Sequence, residues 1–146
     1  MSLTLITFIS CTSWQEINRI KNCTKDTLLV ELTESDTLDD WMYWDENPKD
    51  TLWMNLPKDT TVIYVRGEKA VIKNDHYVLP DSFLFTGTIF AYDTYYIHAI
   101  KWQDVKHYPL EEIRSRKLYD TQTVTRKDFR DRLFEYRYID SIRCRN

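Results

Sequence analysis

SFLFTGTIFAYDTYYIHAIKW (residues 82–102) is dense in aromatic and β-branched residues. Such residues suit a pleated, half-buried surface. The segment reads as two β-strands folded back on each other around Asp93-Thr94, a pair that favours a turn followed by a strand. The chain has two glycines, and one of them, Gly87, falls in the middle of the first strand. Glycine there forfeits side-chain packing, so it marks a bulge or a place where another backbone or a ligand comes close.

Working outward, most of 61–102 reads as β: TVIYV, a turn at RGEK, AVIK, a turn at ND, HYVL, then the hairpin. Upstream, residues 3–10 alternate weakly as a strand. Ser13 and Glu16 have capping-box spacing, and Trp14, Ile17 and Ile20 give a short helix one apolar face. TLLVELT (27–33) is a second strand, so the opening is β-α-β. In 36–56 a short helix carrying Leu38, Trp41 and Met42 is stopped at Asn47-Pro48. Downstream, Pro109 opens a helix over LEEIRSRKLY. A last helix starts at Thr125, with Asp128 as its N3 carboxylate and Phe129, Leu133, Tyr136 and Ile139 on its apolar face. Asp-Thr recurs six times, mostly before β-like runs, and serves as turn punctuation. The expected fold is α+β: a mostly antiparallel sheet with a short N-terminal β-α-β unit and one or two C-terminal helices.

At 146 residues, 42% hydrophobic and 14% aromatic, the chain suits one domain over 1–146 with a substantial core. No apolar run approaches the ~20 residues of a membrane span. The N-terminus lacks a basic leader and a small-residue cleavage site, and three cysteines without a CxxC pair argue against a disulfide framework or zinc cage. These point to an intracellular protein, cytoplasmic or nuclear, without a membrane partner. The net charge of −3 hides a gradient: residues 1–60 hold eleven acidic and five basic residues, and 111–146 hold seven acidic and ten basic. A basic C-terminal segment can meet phosphate or complement the acidic half of the same molecule.

Familiar chemistry finds little support. The Asp75-His76 pair suggests an HNH nuclease, yet no asparagine occurs between Asn74 and Asn146 to complete it. Pro80-Asp81 with Asp104-x-Lys106 has the spacing of a magnesium nuclease, in which carboxylates hold the metal and the lysine steadies the attacking water. That pattern wants its acid-x-lysine on a strand, and Asp104 reads as a loop. Cys11 precedes a helix N-terminus, but a phosphatase loop would need arginine at Ile17. No cofactor is implied. The three histidines read as structural or surface residues.

Tryptophans offer more. Trp41, Trp44 and Trp53 lie with Tyr43 among Asp39, Asp40, Asp45 and Glu46, and Trp102 closes the hairpin. Aromatic rings most often fill cores. Beside carboxylates they also hold purines, the ring stacking on the base and the acid accepting from its N–H groups.

Residues 54–118, from MNLPKDTT through FLFTGTIF and TYYIHAIKW to YPLEEIRSRKL, resemble the nucleotide-binding domain of covalent nucleotidyltransferases, the ATP-dependent ligases and mRNA guanylyltransferases. In that family a KxDG motif is followed by an apolar-DGE strand, a YYxFD-like strand and a proline-leucine helix. Here the nucleophilic lysine falls on Pro57, or on Lys58 with a one-residue slip. The acids flanking Gly87 are Thr86 and Thr88, and the third motif's aspartate is Ala99. The resemblance implies a scaffold whose transfer chemistry is lost, as in the cap-binding domain of snurportin. It leads to the expectation of a non-catalytic binder of a nucleotide or a cap-like RNA 5′ end. The bases would stack on Trp102 or one of Trp41, Trp44 and Trp53, with Lys58 and Gly87 also at the ligand, and Arg66, Lys69 or the C-terminal arginines would meet phosphate. Two alternatives stand beside it. One is a viral or phage accessory protein that inhibits a host protein through the acidic aromatic surface of 36–56. The other is a residual enzyme, either a transferase using Lys58 or a metal-dependent nuclease.

Overall fold

The computed structural model describes residues 17–38, 60–65, 68–73, 76–86 and 92–139, with backbone alone over 60–65 and 68–73. Nine strands and two helices lie within these: β1 Asn18–Asn22, β2 Leu28–Thr33, β3 Thr60–Val65, β4 Glu68–Lys73, β5 Tyr77–Val78, β6 Phe83–Thr86, β7 Tyr95–Lys101, α1 Trp102–His107, α2 Leu110–Ser115, β8 Tyr119–Val124 and β9 Leu133–Tyr136. The fold is α+β with mostly antiparallel sheet, as expected. A three-stranded sheet runs β6-β1-β9, a four-stranded sheet runs β5-β2-β7-β8, and β3 pairs with β4. The β1–β9 pairing is parallel; every other named strand pair among the described residues is antiparallel.

The expected hairpin over 82–102 does not form. Strand β7 is flanked along its whole length, by β2 on one edge (Val30 opposite Ala99) and by β8 on the other (Ala99 opposite Asp120). No edge is left for β6, which pairs with β1 in the other sheet, Ile20 opposite Leu84. Two further expectations give way. Residues 18–22 form a strand instead of the end of a helix. The helix expected from Thr125 is a single 3₁₀ turn, Arg126–Asp128, followed by β9. Its capping box is present, with the Thr125 amide and hydroxyl both donating to the Asp128 carboxylate.

Alternation places the layers. On β7, Tyr95, Ile97 and Ala99 join Leu28, Val30 and Val124 in facing the three-stranded sheet, where Ile20, Leu84 and Tyr136 meet them. The opposite face turns Leu29 and Ile100 toward Val105 of α1 and Leu110 and Ile113 of α2. Strands β2 and β7 are thus covered on both sides, which explains the unbroken burial of Leu28–Glu31. The described chain stacks as sheet, sheet and helices. This leaves one face of the three-stranded sheet turned to solvent.

Candidate functional site

Strand β6 reads Phe83, Leu84, Phe85, and side chains on a strand alternate between faces. Leu84 points into the core at 4% exposure; Phe83 and Phe85 point outward at 39% and 67%. On β1, Ile20 is buried while Arg19 and Lys21 share the outer face, Arg19 opposite Phe85 and Lys21 opposite Phe83. The Arg19 guanidinium lies 5.6 Å from the Phe83 ring centroid, within cation–π range. Lys21 Nζ is 3.7 Å from Asp81 in the exposed turn before β6, and Arg137, just after β9, sits 3.4 Å from Glu135. Arg130 and Arg132 are exposed in the turn before β9, and the Arg19 amide donates to the Arg132 carbonyl at 2.8 Å. Two outward rings are therefore set among five cations on one sheet face and its rim.

That turn is held tightly. The Leu133 amide donates to the Arg130 carbonyl, and both central residues are left-handed, Asp131 at φ 51° and Arg132 at φ 62°. Asparagine and aspartate tolerate this region because their short side chains bond locally; arginine has no such help.

Of the residues expected to form a binding site, Trp102 and the backbone of Lys69 lie within the described residues. Trp102 opens α1, its amide donating to the Thr27 carbonyl at 2.9 Å. Its indole packs against the Leu29–Ile100–Val105 core and meets the Tyr77 ring edge-on at 4.8 Å, so it is partly core filler and not an open platform. Lys69 lies on β4 opposite Tyr64. Trp41, Trp44, Trp53, Lys58, Arg66 and Gly87 lie outside the described residues, as does Cys11. Asp104 and Lys106 are on helix α1 and not on the strand a nuclease needs. Among the described residues no group of three or more His, Cys, Asp or Glu side chains could hold a metal ion.

Each of the three histidine rings bonds a backbone carbonyl. The His76 ring nitrogen Nδ1 donates to the Val30 carbonyl and His107 Nδ1 to the Gln103 carbonyl. His98 is fully buried between Glu31 of β2 and Thr121 of β8 in the register of the central sheet. Its Nε2 lies 2.9 Å from the Ser35 carbonyl, which can only accept, so Nε2 carries a proton. In the neutral ring Nδ1 then accepts from the Thr121 hydroxyl at 2.8 Å. Cys23 is a free thiol whose pKa is raised, burial being the main cause, which makes it a poor nucleophile.

A second polar network ties the two sheets together. Tyr136 of β9 donates to the Asp120 carboxylate of β8 at 2.6 Å, and Gln122 donates to the same oxygen. Beside it, Tyr138 donates to Asp26 at 2.9 Å, and Lys101 Nζ lies 5.1 Å from the Tyr138 ring centroid. Both phenols have pKa values pushed well up, first by burial and then by the carboxylate each one bonds. These side chains answer one another and lock the seam between the sheets.

Sequence reasoning passed over Arg19, Lys21, Phe83 and Phe85. The usable signal was period-two alternation in NRIKN and FLF, with charge or aromatic outward at every second position. Among the described residues no helix is long and apolar enough to cross a membrane. Compared with known proteins, the chain matches no family model, no curated protein and no solved structure.

Proposed function

We propose that the protein is a non-catalytic binding module for a nucleotide or an RNA end. The observation that carries this reading is the outer face of the β6-β1-β9 sheet, where exposed Phe83 and Phe85 alternate with Arg19 and Lys21. Aromatic faces hold bases by stacking and cations hold phosphate, and the two together on one rigid sheet suit a nucleotide better than either alone. A binding role without chemistry is supported by the positions where a nucleotidyltransferase would carry acids. Thr86 uses its hydroxyl to donate to the Asn18 carbonyl, and Ala99 is buried between Val30 and Asp120, whose carboxylate is engaged by Tyr136 and Gln122.

Titration calorimetry with ATP, GTP, a methylated cap analogue and a short 5′-phosphorylated RNA tests the proposal. Saturable heat with at least one of them is expected, weakened by Arg19→Ala. Flat isotherms for all four at millimolar ligand would sink it.

A further inference from the structure

We infer that the outer face of the β6-β1-β9 sheet takes a single-stranded nucleic acid chain, with two consecutive bases laid on Phe85 and Phe83 and the backbone following β1. This rests on the nucleotide-binding reading of the same face and narrows it to a polymer. Phe83 and Phe85 are two residues apart on one strand, a separation of about 6.7 Å along the sheet. Stacked bases in a duplex strand rise only about 3.4 Å, so adjacent bases reach both rings only when pulled apart from each other. A single strand permits that and a duplex does not. The face is also an open plane, which recognises the flat surface every base shares instead of enclosing one base.

The cations agree with this path. Arg19 and Lys21 repeat at the same two-residue interval on the neighbouring strand, opposite Phe85 and Phe83 in register, with the Arg19 guanidinium reaching diagonally to the Phe83 ring. Successive phosphates of an extended strand would meet them in turn. Arg130 and Arg132 continue the positive rim beyond Arg19. Two carboxylates near this surface sit beside a cation, Asp81 by Lys21 and Glu135 by Arg137, and Asp131 lies between Arg130 and Arg132 in the turn. RNA and DNA single strands share this chemistry; a 2′-hydroxyl contact would separate them.

Fluorescence anisotropy with labelled ten-nucleotide strands provides the test: oligo-U, oligo-dT, the oligo-dT·dA duplex, and unlabelled UMP and GTP as competitors. The full chain should bind one or both single strands at least tenfold more tightly than the duplex and than either mononucleotide. Phe85→Ala and Phe83→Ala should each weaken the single strand about 5- to 150-fold, the range of losing one stacked base. Because Phe85 is well exposed, circular dichroism of Phe85→Ala should match the parent. Lys21→Gln should lower the slope of log K against log salt by about 0.7, the single-strand value for one phosphate. Equal binding of duplex and single strand, or single-strand binding that survives both phenylalanine substitutions, overturns the inference. If mononucleotides or cap analogues bind as tightly as the strands, the broader proposal stands and this one falls. If nothing binds, both fall.

Discussion

Tyr136 shows how one phenol serves the whole fold. It is fully buried and its hydroxyl donates at 2.6 Å to Asp120 across the seam between the sheets. Hydrogen bonds to charged groups contribute about 1.5–3 kcal/mol, and the half-buried Asp120 carboxylate would keep Gln122 as its remaining donor. Tyr136→Phe should therefore lower unfolding stability by about that amount, read as a fall in the urea midpoint. The same bond makes stability pH-dependent. The folded phenol's pKa is raised, by burial first and by Asp120 second, above its ordinary value of 10.0. The stability linked to that proton is full below pH 10 and is lost as pH rises beyond it, because the unfolded chain ionises first. Stability measured from pH 8 to 11 should decline on this limb, and Tyr136→Phe should flatten the decline. A second residue carries strain in place of burial. Arg132 sits at φ 62°, a region in which a Cβ is costly. Arg132→Gly should raise stability by about 0.5–1 kcal/mol, the left-handed cost less the unfolded-state entropy of glycine. If the rim serves phosphate, the same variant should bind oligo-U or oligo-dT more weakly. A variant both less stable and unchanged in binding would contradict both points.

Among the elements, β6 separates packing from surface within three residues. Leu84→Ala empties a core position beside Ile20 and Tyr136 and should cost about 2–5 kcal/mol. Phe85→Ala removes a larger side chain from the outer face and should change unfolding stability by under about 0.5 kcal/mol. The reverse order would mean that β6 is flipped in register. The fold class, β2, the β3–β4 pair and α2 were legible because their signals are local: apolar runs, turn residues, a proline at a helix start. β1 was not, because its inward positions are Asn18, Ile20 and Asn22, and the flanking asparagines disguise the alternation. Asn22 is tolerated there because its amide donates to the carbonyls of Asp26 and Val78. β8 hides in the same way, with Asp120 and Gln122 turned inward and the Asp120 carboxylate accepting from both Gln122 and Tyr136. The C-terminal helix was expected because Phe129, Leu133 and Tyr136 fit a helical period. What ends it is the left-handed pair Asp131-Arg132, and no glycine marks the spot. The candidate site was missed for a related cause. It exists only once β6 joins β1, a pairing between distant segments that no local spacing encodes.

At the scale of the molecule, the sheets are knit from strands far apart in the chain. Val30 lies opposite Ala99, Asn18 opposite Thr86, and Arg19 opposite Leu133 near the end of the described chain. The central sheet carries a polar row, the buried Glu31 and His98 and the half-buried Thr121, which aligns only in the native register. A one-residue slip of β2 or β8 would turn these groups into the apolar layer facing Ile20 and Leu84, so the row helps to select the register. Such a fold must close long loops before its contacts stabilise it, and non-local pairing slows folding. Stopped-flow refolding followed by tryptophan fluorescence should give a main phase in the millisecond-to-second range, as for other sheet-rich domains of high contact order. Thr121→Val, which removes the hydroxyl facing His98, should destabilise by about 1–3 kcal/mol through the partner left buried. If the row is set only as the sheet completes, the substitution will appear mostly in the unfolding rate and leave the folding rate nearly unchanged. A folding rate that drops in proportion to the lost stability would instead place the β7–β8 register in the transition state.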